Sequence, residues 1–443
     1  MKNYQVFFLA FVILFCIYRV DAQNQLPKKS EVALSNEINK QLPKWLSFSG
    51  EYRLRVEGFS GINGQRNRDD LYSLSRIRLD LTIKPTENLK IFLQAQDSRV
   101  FGFNSKPTPT IHANSIDLRQ AYIEWQQKSK VGWSIKAGRQ ELNFGDQRLV
   151  GSLNWTNTAR TFDGIKIGYS QKNYGLEVFA SSVVNVDNAV FDRHRDGKNL
   201  YGAYLKLPKI APKTILNTYL FWKTERPLVR SENGLVGSVS IVTLGTNLIG
   251  SLTAKINYEV DLMLQRGSFS TDDVRAYAAH SKINYTFSQR ENIPTLFVEY
   301  NHASGDASTN DQIRGTFDQL FPTGHAKYGL TDLVGLRNMH NVWVGSVWQA
   351  HKKLKLQLDY HSIWLAKRRD GLYNAGGNLI ARIAAGAKSN HVAQEIDIRA
   401  TLNLRPGVDL ESGYGRWLPG DFWKEATMGA KVSFAYSMLT YKF

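Results

Sequence analysis

Cysteine is all but missing from this chain: Cys16 is the single one in 443 residues. It lies in an apolar run, residues 7–18, that follows Lys2 and is too short to span a bilayer. Val20-Asp21-Ala22 then has the small-x-Ala form of a leader-peptidase site. A secretory leader over residues 1–22 is expected, with cleavage before Gln23. Phe15 is too large for a lipid-attachment signal next to Cys16. The remaining 421 residues (443 minus 22) have no cysteine, which excludes a disulfide framework, a thiol nucleophile and a cysteine metal site.

Long apolar runs are missing too. No stretch of eighteen apolar residues follows the leader, charged residues make up 21%, and mean hydropathy is −0.34. An α-helical membrane protein is excluded. A β-barrel is not, because its strands alternate and average to mild hydrophilicity. There is no phosphate loop, no dinucleotide glycine pattern and no Gly-x-Ser-x-Gly elbow. The nine histidines read as scattered lumen or loop positions without a metal-binding pattern. No enzyme activity, no cofactor and no metal site are expected. The 34 glycines and 12 prolines are spread as turn markers, and no linker divides the chain.

Aromatic residues are plentiful, with 20 Tyr and 22 Phe, which suits two interfacial girdles. The formal charge of +17 becomes +16 once Lys2, Arg19 and Asp21 are removed. That excess favours anionic partners. Nucleic acid is not expected as the target of a secreted chain.

Residues 23–44 are polar and read as a short periplasmic lead-in. From Trp45 onward, period-2 segments alternate with turn residues. About eighteen can be counted, from 46–56 to 433–443, at roughly 22 residues per strand plus connection. Arg76, Arg78, Asp80 and Thr82 oppose Ile77, Leu79, Leu81 and Ile83. Lys355, Gln357 and Asp359 oppose Leu354, Leu356, Leu358 and Tyr360. Glu395, Asp397 and Arg399 oppose Ile396, Ile398 and Ala400. The final segment sets Leu439, Tyr441 and Phe443 on one face and Met438, Thr440 and Lys442 on the other. An aromatic at the last position resembles the assembly signal of bacterial outer-membrane barrels. The expected fold is all-β: a transmembrane antiparallel up-and-down barrel of about 18 strands over 45–443, in the outer membrane of a Gram-negative-type cell. A monomer in contact with outer-membrane lipid is expected. Such a barrel encloses an aqueous lumen that loops must narrow. Segments 226–237, 305–337 and 367–390 are each either inward-folding or plain surface loops.

The densest polar text is Gly138-Arg-Gln-Glu-Leu-Asn-Phe-Gly-Asp-Gln-Arg148, followed by Asn154-Trp-Thr-Asn-Thr-Ala-Arg-Thr-Phe-Asp-Gly164. With Leu118-Arg-Gln-Ala-Tyr122, Ser75-Arg-Ile-Arg-Leu-Asp-Leu81 and Phe321-Pro-Thr-Gly-His-Ala-Lys-Tyr-Gly-Leu-Thr-Asp-Leu-Val-Gly-Leu-Arg337, it resembles the alginate export family of outer-membrane barrels. The resemblance spans about residues 50–443. It implies an 18-stranded channel whose arginine-rich constriction passes an anionic polysaccharide, without fixing which one. Guanidinium groups pair carboxylates in a planar fork, and a ladder of them lets a polyanion move between sites.

Candidate residues on this path are Arg76, Arg78, Arg119, Arg139, Arg160 and Arg399. Arg53, Arg55, Lys136, Lys255 and Lys355 are further lumen bases by parity. The parity of Arg119 and Arg139 reads either way. Each arginine is open to a second role, as a strut neutralising lumen acids such as Glu51, Asp80, Glu124, Glu259 and Glu299. Other functions left open are a general anion or sugar-acid porin and an outer-membrane barrel enzyme. Export or uptake, and a periplasmic delivery partner, stay open.

Overall fold

A computed structural model describes residues 34–104, 108–129, 131–188, 190–288, 293–308 and 310–443. The expected leader at 1–22 and the first part of the lead-in lie outside the described residues. Helix α1 (Leu34–Gln41) precedes the first strand, and Asn39 both donates to and accepts from the Phe48 backbone at 2.8 and 2.7 Å.

The first strands are β1 (Leu46–Ser60), β2 (Asp70–Thr86), β3 (Leu89–Phe101), β4 (Asn114–Gln126), β5 (Gly132–Gln140), β6 (Phe162–Ser170) and β7 (Gly175–Asn185). Next come β8 (Arg193–Ala211), β9 (Thr214–Arg230), β10 (Val236–Ser251), β11 (Ile256–Phe269), β12 (Asp272–Thr286), β13 (Thr295–Ala303) and the short β14 (Ile313–Arg314). The chain continues through β15 (Met339–His351), β16 (Leu354–Leu365), a small hairpin of β17 (Leu372–Tyr373) and β18 (Leu379–Ala381), then β19 (His391–Arg405) and β20 (Val408–Pro419). Helix α2 (Asp421–Ala426) and β21 (Val432–Lys442) close it.

All strands except β14, β17 and β18 belong to one antiparallel barrel. Each pairs with its neighbour in sequence order, β13 with β15 and β16 with β19, and β1 pairs with β21 to close the ring. Eighteen strands result, as the alternation predicts. Connections at the end that holds Leu46 and Lys442 are mostly tight, such as Pro212–Lys213 between β8 and β9. The opposite end holds the long ones, 141–161, 304–338, 366–390 and 420–431. Short periplasmic turns and long extracellular loops orient the barrel.

The faces fall where alternation puts them. Ile77, Leu79, Leu358, Ile396 and Ile398 are exposed on the outer wall, while Arg76, Arg78, Asp359 and Asp397 are buried inside. A one-residue slip would exchange the two sets, so the apolar stripe pins the register.

The apolar core lies inside the lumen, where 141–161 and 304–338 fold inward and pack together. Val150 bridges Phe321 in parallel, Gly151 N–H donates to the Phe321 carbonyl (2.9 Å), and Phe321 N–H donates to that of Leu149 (2.8 Å). Phe144 packs on Phe179, Tyr204 and Phe221 from the wall at 5.0 to 5.4 Å between centroids. Of the three segments expected to be loops, 305–337 enters the lumen. Segment 226–237 does not: β9 and β10 extend past the membrane band and leave only 231–235 as a turn. From 367–390, the part around Tyr373 and Ala375 backs the inward loop, as acceptor from Gly335 N–H (2.8 Å) and donor to Asp332 (3.0 Å).

Candidate functional site

Five arginines line one arc of the lumen: Arg53 and Arg55 on β1, Arg76 and Arg78 on β2, and Arg119 on β4. Each is at most 7% exposed. Alternation places the first four inward. A bulge in the β3–β4 pairing turns Arg119 inward as well, which resolves its ambiguous parity. They reach the backbone of the inward loop. Arg53 donates to the carbonyls of Asn154 (2.8 Å), Trp155 (3.1 Å) and Thr156 (3.0 Å). Arg76 donates to those of Asn154 (3.1 Å) and Thr156 (3.2 Å), and Arg55 to that of Trp155 (2.6 Å). Bonds from a charged donor contribute about 1.5–3 kcal/mol each.

Three carboxylates neutralise part of this charge. Arg76 pairs with Glu51 (2.5 Å), Arg55 with Glu57 (2.6 Å), and Arg119 with Glu141. Burial alone would raise the Glu141 pKa, but Arg119 and Arg78 bring it below the usual carboxylate value. Asp80, on the same face of β2 and bonded to Gln94 at 2.7 Å, adds a fourth carboxylate, so five guanidiniums outnumber the acids of the arc by one. Arg78 Nη2, and the Nε atoms of Arg53, Arg76 and Arg119, are buried without a hydrogen-bond partner.

Trp155 joins the arc to the second loop. The Arg55 guanidinium stacks over its ring at 3.8 Å, and the His325 ring lies parallel to it at 3.6 Å. Tyr436 on β21 meets Trp155 edge-on, and His325 is fixed by Asp332 at 2.8 Å.

The far side of the lumen is built on mixed charge. Arg148 bonds Asp146 (2.8 Å), Asn301 and Tyr328 (2.9 Å each) and lies 3.5 Å from Glu299. Lys327 reaches Asp146 at 3.1 Å. Burial would raise the Asp146 pKa, but Arg148 and Lys327 hold it well below the usual range. Asp318 is buried against Lys223 (3.0 Å). There too burial is outweighed by Lys223 and Arg337, and the carboxyl falls to about 2. On β19, Glu395 accepts from Thr331 N–H (2.8 Å) and Oγ1 (2.7 Å), and Asp397 from Leu330 N–H (3.0 Å).

Asp146, Glu259 and His280 could hold a cation between them, as could Glu232, Asp306 and Asp311 in the outer loops. In the first group Arg148 and Lys327 already occupy Asp146. In the second, Glu232 Oε2 accepts the N–H groups of Asp311 and Gln312. Glu299 and His302 have the Glu-x-x-His spacing, contrary to the sequence reading of the histidines. On a strand that spacing puts Glu299 in the lumen and His302 on the outer face, so the two do not act together.

Arg76, Arg78 and Arg119 therefore gather on one arc of the inner wall. Arg399 faces the same lumen on β19, 3.4 Å from Asp359. Arg160 is a staple inside the loop layer. It donates to the carbonyls of Gly151 (3.2 Å) and Pro322 (3.0 Å), and burial lowers its pKa to about 10. Arg139 shares the parity of exposed Trp133 and Ile135 and pairs with Asp163 on the outer wall (2.8 Å), so it stands outside the lumen. Trp155 and His325 escaped the sequence reading, because only the fold brings residues 170 positions apart face to face.

A family model described as alginate export matches residues 44–434. No curated protein matches the sequence significantly. The fold resembles three crystal structures from Pseudomonas aeruginosa. For OccK9 (OpdG) the TM-score is 0.63 at 11% identity, over 90% of this chain and 98% of that one. For OccK8 (OprE) it is 0.61 at 12% identity, with the same coverage. For OpdK with vanillate it is 0.61 at 10% identity, over 89% and 98%. Given the closed 18-stranded barrel and a family match over nearly all of it, the chain belongs to the alginate export family and is an outer-membrane channel.

Proposed function

We propose that this channel passes an anionic polysaccharide or oligosaccharide, an alginate-like polyuronate, along the arginine arc. The observation that supports this most is the excess positive charge beside Trp155: five inward arginines face four carboxylates, Glu51, Glu57, Asp80 and Glu141, and several guanidinium N–H groups have no partner. A carboxylate on each sugar would be drawn in turn to the positive field of this arc. The same arginines also anchor the inward loop, so they act as struts and as the charged edge of the passage. Arg399, on β19 beside Asp359, carries that edge further round the lumen.

A second reading, a porin for small anions such as sugar acids, draws on the inward loops, which narrow the lumen. The fold likeness to OpdK, crystallised with vanillate, points the same way. Planar-bilayer conductance separates the two. For the polymer reading, wild-type channels prefer anions and are blocked by long polyuronate. Reversing Arg76, Arg78, Arg119 and Arg399 together to Glu inverts the preference and abolishes block. Retained anion selectivity in a folded quadruple variant rejects the arc as the filter. Block by monomeric uronate alone favours the second reading.

A further inference from the structure

Above the apolar band, the outer wall carries a pocket of about 540 Å³ at the extracellular end of β20 and β21. Leu418, Pro419 and Met428 supply its apolar lining, and Arg66, Lys424 and Lys431 its charge. Alternation along β20 places Tyr414, Arg416 and Leu418 on the outer face, with Trp417 fully buried on the inner one. The pocket therefore opens to the surroundings of the barrel, on the side away from the lumen. Tyr414 is exposed in the upper apolar band, and Leu418 lies four residues further, about 13 Å along the strand. That is the depth at which acyl chains give way to head groups.

Its charge is unbalanced. Arg66 and Lys431 form no ion pair among the described residues. Lys424 has only an exposed partner one helical turn away, Asp421 at 3.2 Å, a pair of little worth in water. Met428 is 68% exposed beside these cations, so apolar surface and basic groups face the same space. Further round the same wall, on β4 to β6, a second outer-wall pocket with Arg139 and Phe191 has Asp117, Asp163 and Asp192 instead. Burial raises the Asp192 pKa there to about 6. One outer pocket is thus basic and the other acidic, so the basic one is not a general property of the rim.

We propose that the pocket of Arg66, Lys424 and Lys431 holds the phosphate-bearing head of an outer-leaflet lipid, with an acyl chain against Leu418, Pro419 and Met428. The fit is one of charge and depth: phosphate oxygens match the cations, and the lipid's apolar part continues the band below. The site lies outside the conducting path and is independent of the substrate that path takes.

The test is native mass spectrometry of the full-length protein in detergent, titrated with diphosphorylated lipid A, its dephosphorylated form or inorganic phosphate. Wild type binds the diphosphorylated lipid in preference to the dephosphorylated one. In R66E/K431E the half-saturating concentration rises about tenfold or more. R99E/R275E, with the same charge change elsewhere on the exposed surface, leaves it unchanged. If R66E/K431E gives no folded, heat-modifiable band, R66Q/K431Q takes its place, with a smaller rise in the same direction. Unchanged binding in the pocket variant, an equal loss in the control pair, or equal competition by inorganic phosphate overturns the proposal.

Discussion

Gly50 and Phe443 exchange two backbone hydrogen bonds across the barrel seam, Gly50 N–H to the Phe443 carbonyl at 2.7 Å and the reverse at 3.0 Å. The Phe443 ring lies over the glycine. A Cβ at position 50 would stand 2.4 Å from its Cζ and 2.8 Å from the backbone oxygen of Arg78. The ring can turn away, but the carbonyl is fixed in the β1–β2 ladder. Gly50→Ala is expected to cost about 1–3 kcal/mol, as overpacking does. On heat-modifiability gels it unfolds at a lower temperature than wild type. Phe443→Ala in the same chain recovers only part of the loss.

Charge on the outer wall separates the two faces. Leu79→Arg, Leu358→Arg and Ile398→Arg should each cost about 2–4 kcal/mol near the bilayer midplane. Thr82→Arg and Gln357→Arg, which point into the lumen, should be mild. Urea unfolding from lipid vesicles measures both sets, and equal costs would refute the face assignment.

Trp155 fastens two loops to the wall. Trp155→Ala removes a cation–π contact of about 0.5–2 kcal/mol and a stacked ring pair of about 0.5–1.5 kcal/mol. Single-channel recordings should show higher and noisier conductance. Trp155→Phe keeps a ring between Arg55 and His325 and should stay close to wild type.

Acid should loosen the loop layer. The Asp318 pKa is lowered on folding from 3.8 to about 2, so its contribution is present above the unfolded value and is lost as pH falls through the folded one. Gating noise is expected to grow from about pH 4 to about pH 2. Lys223→Met removes the main counter-charge and leaves burial to push the carboxyl up. The noise should then begin at higher pH. An unchanged onset would show that Lys223 does not set it.

Strand number and faces were legible because lipid and water impose a period of two on every wall residue. Ile77 and Arg76 differ in chemistry for the same reason they differ in direction. The loops obey no such rule. Residues 141–161 read as polar text, yet Leu142, Phe144, Leu149 and Val150 are buried in the lumen. Their destination depends on Phe321, Phe179 and Phe221, which are far away in sequence. Arg139 read as a channel residue because a polar side chain on a strand suggests water. Asp163 beside it and the end of the apolar band explain how it stands outside.

Arg53 and Arg76 grip the carbonyl oxygens of residues 154–156, not their side chains. Every amino acid supplies that carbonyl. Side chains at 154 and 156 can thus change without removing those anchors, at the cost of the bonds that Asn154 makes to Glu141 and Ser152 and that Thr156 makes to Leu153 and Ala159. A library randomised at 154 and 156 should yield folded barrels with widely different cargo preferences, which makes this short segment the natural handle for redirecting the channel.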